Sequence, residues 1–276
     1  MSAPRPPLFD FRTARIRQNR ARRLEGERFF DAMALEGLTD RLAAVTKSFA
    51  NGLMVGAAVP PELQSFAENW SQSDFDTNEV LGAGEAQFDL AISVFSLQAI
   101  NDLPGALVQI RRALKPDGLF LGVLFGGATL TELRQSFAAA ESETMGGISP
   151  RVSPFADVRD LGGLLQRAGL ALPVADVERS HVRYGDFFAL GRDLRAHGLT
   201  NVLSERSKRF LRRRTLAAML GHYRALHADG GKLCATFEIV YLTGWAPHQS
   251  QQQPLKPGSA RTRLADVLGT VEKKLT

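Results

Sequence analysis

Few residues of this chain have both the type and the spacing that side-chain chemistry requires. The one cysteine, Cys234, cannot close an internal disulfide and reads as a packed residue, not a nucleophile. His181, His197, His222 and His227 show no metal-ligand spacing. The closest two, His222 and His227, stand five apart, off the i, i+4 face that a helical zinc pair uses. No base-and-nucleophile pair stands out anywhere. The chemistry left open is that of a bound ligand, in which placing two reacting groups in line can itself supply much of the rate. A site of that kind depends on the elements that build it.

The most legible elements lie in FDLAISVFSLQAINDLPGALVQIRRALKPDGLFLGVLFGG, from Phe88 to Gly127. Phe88 to Phe95 is a short apolar run and reads as a strand buried on both faces. Asn101-Asp102 offers an N-cap, with Pro104 in the first turn after it. Leu103, Leu107, Ile110 and Leu114 then recur at helical spacing, with Arg111 and Arg112 turned to water. Lys115-Pro116-Asp117-Gly118 stops the helix and predicts a turn in which Gly118 takes the positive φ. Leu119 to Phe125 is a second buried run. Strand, helix, turn and strand make a βαβ unit with parallel strands and a right-handed crossover.

This stretch resembles the fourth and fifth strands of class I S-adenosylmethionine-dependent methyltransferases, where FDL opens one strand and LKPDG leads into the next. The longer string FSLQAINDLPGALVQIRRALKPDGLFLGVLFGGATLTELR is similar to the methyltransferase-fold assembly factors of respiratory complex I. More loosely, it is similar to the malonyl-carrier-protein methyltransferases of biotin synthesis. GGISPRVSPFADVRDLGGLLQRAGL and CATFEIVYLTGW resemble the assembly-factor branch again. The resemblance implies an α/β, Rossmann-like class I methyltransferase fold, here shortened in its first half, with a helical insertion before the last strand. It divides the chain into a basic helical segment (1–48), an α/β domain (49–246, insertion about 185–228) and a polar tail (247–276).

In that fold a ligand sits at the carboxyl ends of the parallel strands. The resemblance therefore assigns cofactor-binding positions to Gly56, Ala57, Val94, Phe95, Ser96, Leu97 and Gln98, with Phe125 and Gly126 opposite, and S-adenosylmethionine as the cofactor. Gln98 would face adenosine or substrate, or else cap a helix. The first strand and loop, FANGLMVGAAVPPEL, depart from the family. Where relatives carry an acid and three spaced glycines, this chain has Met54, Gly56 and then Ala57, Ala58, Val59, Pro60 and Pro61. Prolines remove amide donors, and a β-branched residue lacks glycine's backbone freedom. From Phe49 to Phe88 the chain has too little room for two further full strands and two helices. Pro60 to Trp70 reads as one short helix, and Ser71 to Gln87 as loop, leaving the second and third strands shortened or absent. Asp74, Asp76 and Glu79 are candidates for the acid that holds the cofactor ribose, or are loop and cap carboxylates.

Composition bounds the rest. Apolar content of 44% and charged content of 23% are ordinary for a soluble globular protein, and no run is long enough for a transmembrane helix. The lone cysteine predicts a reducing, cytoplasmic setting. The net charge of +5 is uneven. Arg5, Arg12, Arg15, Arg17, Arg20, Arg22 and Arg23 crowd the first 24 residues beside a single acid, Asp10. Arg206, Lys208, Arg209, Arg212, Arg213 and Arg214 form a second group that cannot share one helix face. Each group is a solvated face or a contact for an acidic protein or anionic headgroups. Nucleic acid is disfavoured because no aromatics interleave the first group after Phe11. Three functions follow. The first is an S-adenosylmethionine-dependent transferase acting on a protein subunit during complex I assembly, in a family that includes an enzyme credited with hydroxylating an arginine. The second is a non-catalytic assembly protein that kept the fold and lost the cofactor. The third is a basic module that binds acidic surfaces.

Overall fold

A computed structural model describes residues 6–24 and 28–252. Arg5 and the tail beyond Gln252 lie outside the described residues. In chain order the elements are α1 (Phe11–Ala21), α2 (Phe29–Ala43), β1 (Phe49–Val55), a 3₁₀ turn (Pro61–Phe66), β2 (Ala67–Ser73), β3 (Phe88–Val94), α3 (Leu103–Ala113) and β4 (Leu114–Phe125). There follow α4 (Thr131–Met145), α5 (Val158–Arg167), β5 (Ala171–Tyr184), α6 (Phe187–Ala196), α7 (Arg213–His227), β6 (Ala228–Asp229) and β7 (Lys232–Trp245). The strands form one sheet in the order β2-β1-β3-β4-β7-β5, with the short β6 hairpinned to β7. β2, β1, β3 and β4 are mutually parallel, and β7 runs antiparallel between β4 and β5.

The βαβ unit forms as its residues dictate. The Asp102 side chain accepts the Gly105 amide and caps α3, with Pro104 in the first turn where no amide is needed. Leu107 and Ile110 are fully buried. The expected turn at Lys115–Gly118 lies inside β4 as a bulge between the Phe88–Leu114 and Leu90–Leu119 pairs, and there Asp117 and not Gly118 takes the left-handed backbone, at φ 62°. Its side chain explains the choice. One carboxylate oxygen meets Lys47 Nζ at 2.8 Å, and the other accepts Gln251 Nε2 at 2.9 Å. Aspartate tolerates this region better than most residues, and here two contacts hold it there.

The first half of the sheet departs further from the sequence reading. Only the 3₁₀ turn stands where a short helix to Trp70 was expected. A full seven-residue β2 pairs with β1 from Phe49–Ala67 to Val55–Ser73. AENWSQS lacks an apolar alternation because β2 is an edge strand, exposed at most positions. The expected loss does apply to the next strand. Between β2 and β3 the described residues contain only a Phe75–Leu81 bridge, in a loop whose Asp76 carboxylate accepts the Asn78 and Val80 amides.

Alternate residues of the strands feed two cores. Met54, Leu121, Val123, Phe125, Phe237 and Tyr241 pack under α2, α4, α6 and α7, while Leu53, Val55, Phe120, Leu124 and Leu242 pack under α3 and α5. Helix α2 belongs to the first core through Phe30, Ala34 and Leu38. Its approach to the sheet is close. The Tyr241 hydroxyl donates to Met33 O at 3.1 Å, and a Cβ placed on Gly37 would lie 2.4 Å from that hydroxyl. Gly37→Ala is expected to cost ~1–3 kcal/mol by overpacking, measured as a lower urea midpoint with unchanged slope. An unchanged midpoint would mean that α2 shifts freely on the sheet.

Candidate functional site

At the carboxyl ends of β1, β2 and β3 lies a cavity of about 420 Å³. Its floor is the point where β1 turns away. Gly56 has φ +98°, its amide donates to Ser73 O at 2.7 Å, and its carbonyl accepts Gln72 Nε2 at 2.9 Å. A Cβ on Gly56 would lie 2.1 Å from Ser96 Oγ, which itself donates to Val55 O at 2.8 Å. A bare Cα is thus required here by both backbone and neighbour. Beside it, Phe95 also has a positive φ, 52°, which is strained for so bulky a residue. Its amide donates to Val123 O at 2.9 Å, and its ring stacks on Phe125 at 4.4 Å with a 10° interplanar angle. Strain of this kind, over-determined by its surroundings, is found preferentially at functional sites.

One wall carries the acid. Asp74 directly follows β2 and lines the cavity. One of its oxygens accepts the Phe75 amide and the other meets Arg15 Nη1 at 3.1 Å. Asp76 and Glu79 are occupied elsewhere, Asp76 in its turn and Glu79 accepting the amides of Asn101 and Asp102.

The roof comes from the amino-terminal helices. Gln18, Ala21 and Arg22 of α1 and its cap, with Arg28, Asp31 and Leu35 of α2 and its cap, face the cavity. Helix α1 is held in place by its own cap. The Asp10 carboxylate accepts the Thr13 hydroxyl and amide and pairs with Arg206 at 3.0 Å. The Thr13 bonds first, then Arg206, hold that carboxylate's pKa down to about 2 against the opposing effect of burial. The Phe9 amide donates to Asn101 Oδ1 at 2.8 Å, and the Asp10 amide to Val202 O at 2.8 Å.

His197, just past α6, closes the side. Its ring packs edge-on to Phe30 at 4.8 Å, and Nδ1 lies 2.9 Å from Asp193 O. A carbonyl can only accept, so Nδ1 carries a proton. The His197 Nε2 is buried without a hydrogen-bond partner, in a residue that lines the cavity.

The structure brings Gly56, Ala57, Val94, Phe95 and Ser96 onto one cavity with Phe125 and Asp74, and leaves Gly126 outside its lining. It separates Leu97 and Gln98. Leu97 is buried, and Gln98 Oε1 accepts the Phe125 amide at 2.7 Å, both beside an apolar space of about 250 Å³ under Phe9 and Phe155. Val94, Phe95 and Ser96 line the space on one side of Phe125, and Leu97 and Gln98 line the space on the other. Gln98 is therefore a backbone brace there. The loop from Ala57 to Pro61 leads into a 3₁₀ turn and not an α-helix, so the helix N-terminus at the cavity is that of α2, whose cap Arg28 and first-turn Asp31 line it. Arg22 brings a cation there, and Arg28 a second one that is paired with Asp31. His197, Arg22 and Arg28 carry no local signal in the sequence, since packing across α1, α2 and α6 assembles them.

Comparison with known proteins agrees with this architecture. A methyltransferase-domain family matches residues 26–204. The mitochondrial arginine hydroxylase NDUFAF5 of Danio rerio is 44% identical over 190 residues, 68% of this chain and 59% of that protein. The malonyl-[acyl-carrier protein] O-methyltransferase of Xylella fastidiosa is 39% identical over 167 residues, 60% of this chain and 55% of the relative. The chain thus spans about half the length of the curated relatives it matches. The crystal structure of the YcgJ protein from Bacillus subtilis superposes with a TM-score of 0.51 over 79% of this chain and 99% of that one, at 11% identity, a likeness of fold alone. The cytoplasmic setting expected from the lone cysteine does not stand, because the arginine hydroxylases most similar to the chain are mitochondrial proteins.

Proposed function

The chain belongs to the methyltransferase-domain family and is related to the NDUFAF5 arginine hydroxylases, and from that premise we propose that its strand-end cavity binds S-adenosylmethionine for chemistry on a protein side chain. One observation carries the proposal. Gly56, Ser96, Phe95 and Asp74 converge on one cavity of about 420 Å³, within the usual ~300–1,000 Å³ range of small-molecule sites. The residues suit the nucleoside half of the cofactor. Asp74 offers acceptors to ribose hydroxyls, and the bare Gly56 lets a ligand approach the backbone. At the other end Pro60 and Pro61 offer no amides, and Arg22 and Arg28 supply the cations for the cofactor's carboxylate.

Held there by Asp74, Gly56 and Arg22, S-adenosylmethionine would supply a sulfonium-activated methyl group for transfer to an acceptor lone pair. The protein's part is positioning. Phe95 and Phe125 exclude water, and the His197 imidazole, which lines the same cavity, is the candidate to take the proton that the acceptor loses. The hydroxylase relatives make arginine the first acceptor to test, on a respiratory complex I subunit as the family resemblance implies. A second reading, a non-catalytic assembly protein, is favoured by the Val59-Pro60-Pro61 loop alone.

Calorimetry with S-adenosylmethionine and S-adenosylhomocysteine separates the two readings. We expect micromolar binding that Asp74→Asn weakens about tenfold, the loss of one charge-assisted hydrogen bond. Silence at millimolar cofactor, with no thermal shift, would leave the assembly reading standing.

A further inference from the structure

Helix α1 has a second concave side. Gln18, Ala21 and Arg22 face the cofactor cavity, whereas Arg17, Arg20 and Arg23 recur at steps of three and lie on the other face of the same turns. There, with Arg195 from the last turn of α6, they line a cleft of about 570 Å³ completed by Leu24 and Thr200. Four guanidinium groups share this space, and among the described residues no carboxylate lines it. Among the described residues none of the ion pairs involves any of the four. Arg17 donates to Asn201 O, and burial, followed by the like charge of Arg206, lowers its pKa from the ordinary arginine value. The Asp10 carboxylate offsets part of this for Arg17, and cations crowded in a concavity are otherwise a cost to the free protein that an anion relieves.

We infer that this cleft is the docking site for an acidic segment of a protein partner. The geometry distinguishes that occupant from a phosphate. A compact phosphate is held by donors meeting at one point, commonly the amides of a helix N-terminus. Here both contributing helices bring their carboxyl-terminal turns, so the backbone offers carbonyls and only side-chain arms can donate. Positions 17 to 23 are spread along the helix and its following turn over ~9 Å, a spacing for successive carboxylates of a chain. A bilayer surface is flat and does not enter a cleft. A partner held here lies one helix thickness, ~10 Å, from the cofactor cavity, close enough to present a side chain to it. The inference extends the protein-substrate reading above, but docking does not need the cofactor and is read separately from it.

The test is fluorescence anisotropy of a short fluorescein-labelled glutamate-rich peptide against the full chain, at low and at physiological salt. Arg20→Glu and Arg195→Glu are compared with Arg224→Glu, an exposed last-turn arginine of α7 outside the cleft. We expect salt-sensitive binding that each cleft reversal weakens at least about tenfold and Arg224→Glu leaves within about twofold. Equal loss in all three variants would reduce the effect to net charge and overturn the site. So would absence of binding at low salt, or displacement of the peptide by inorganic pyrophosphate at matched ionic strength. Peptide binding that persists in a protein unable to bind S-adenosylmethionine would retain this inference and remove only the catalytic one.

Discussion

Gly56→Val is expected to abolish S-adenosylmethionine binding and to lower stability as well. Two costs act at once. A β-branched residue at φ +98° is held in a region it rarely adopts, at ~1–3 kcal/mol. Its Cβ would also meet Ser96 Oγ at 2.1 Å and Ser96 Cβ at 2.6 Å, adding an overpacking cost of ~1–3 kcal/mol. For a chain of this size the sum lowers the melting temperature by roughly 10 °C. The two costs can be separated. Ser96→Gly in the same chain removes the collision and leaves the backbone strain, so the double variant is expected to regain part of the stability. Binding is not expected to return, because the valine side chain still occupies ligand space. A double variant that binds normally would show that the ligand does not lie over Gly56.

The same residues explain what the sequence could and could not reveal. The βαβ unit from Phe88 to Gly127 was legible because its signals are local: a cap, a proline in the first turn, a helical repeat and two apolar runs. β2 was not legible, because its pairing with β1 holds AENWSQS extended more than its composition does. Trp70 packs across Gly52 of the neighbouring strand, where a Cβ would lie 2.6 Å from the ring. Missing β2 also left Asp74 undistinguished from Asp76 and Glu79. Its position at a strand end is what separates it from the other two, which are spent on caps. The roof of the site was beyond local reading altogether. Helix α1 is fixed by Asn101, Val202 and Arg206, contacts that join residues far apart in the chain. His197 enters the cavity by the same route. The resemblance sets Gln98 at the ligand or at a helix cap, which places a residue near a crevice but does not say which side of Phe125 its side chain takes.

Arg151→Met is expected to be among the most destabilising single changes, although it touches no part of the cofactor cavity. Glu141, fully buried on α4, accepts the Ser149 amide at 2.6 Å and hydroxyl at 2.8 Å, and meets Arg151 Nη2 at 2.6 Å. These bonds tie the loop after α4 to the helix, and that loop carries Phe155, whose ring lies 6.3 Å from Phe125. Burial by itself would raise the Glu141 pKa. The Ser149 bonds and the Arg151 guanidinium outweigh it and hold the pKa below the ordinary glutamate value of 4.5. Because the folded pKa is the lower one, the network's stabilisation is complete above the unfolded value and is lost as pH falls through the folded one. Methionine preserves most of the volume beside Phe137 but strands a buried carboxylate, at about 3–5 kcal/mol near neutral pH. In the variant that carboxylate is protonated readily, so the gap to the wild type is expected to shrink as pH falls and to close below the lowered folded pKa of Glu141. Urea unfolding of both proteins across this range measures the gap directly. A gap independent of pH would assign the loss to packing against Phe137 instead of to the charge on Glu141.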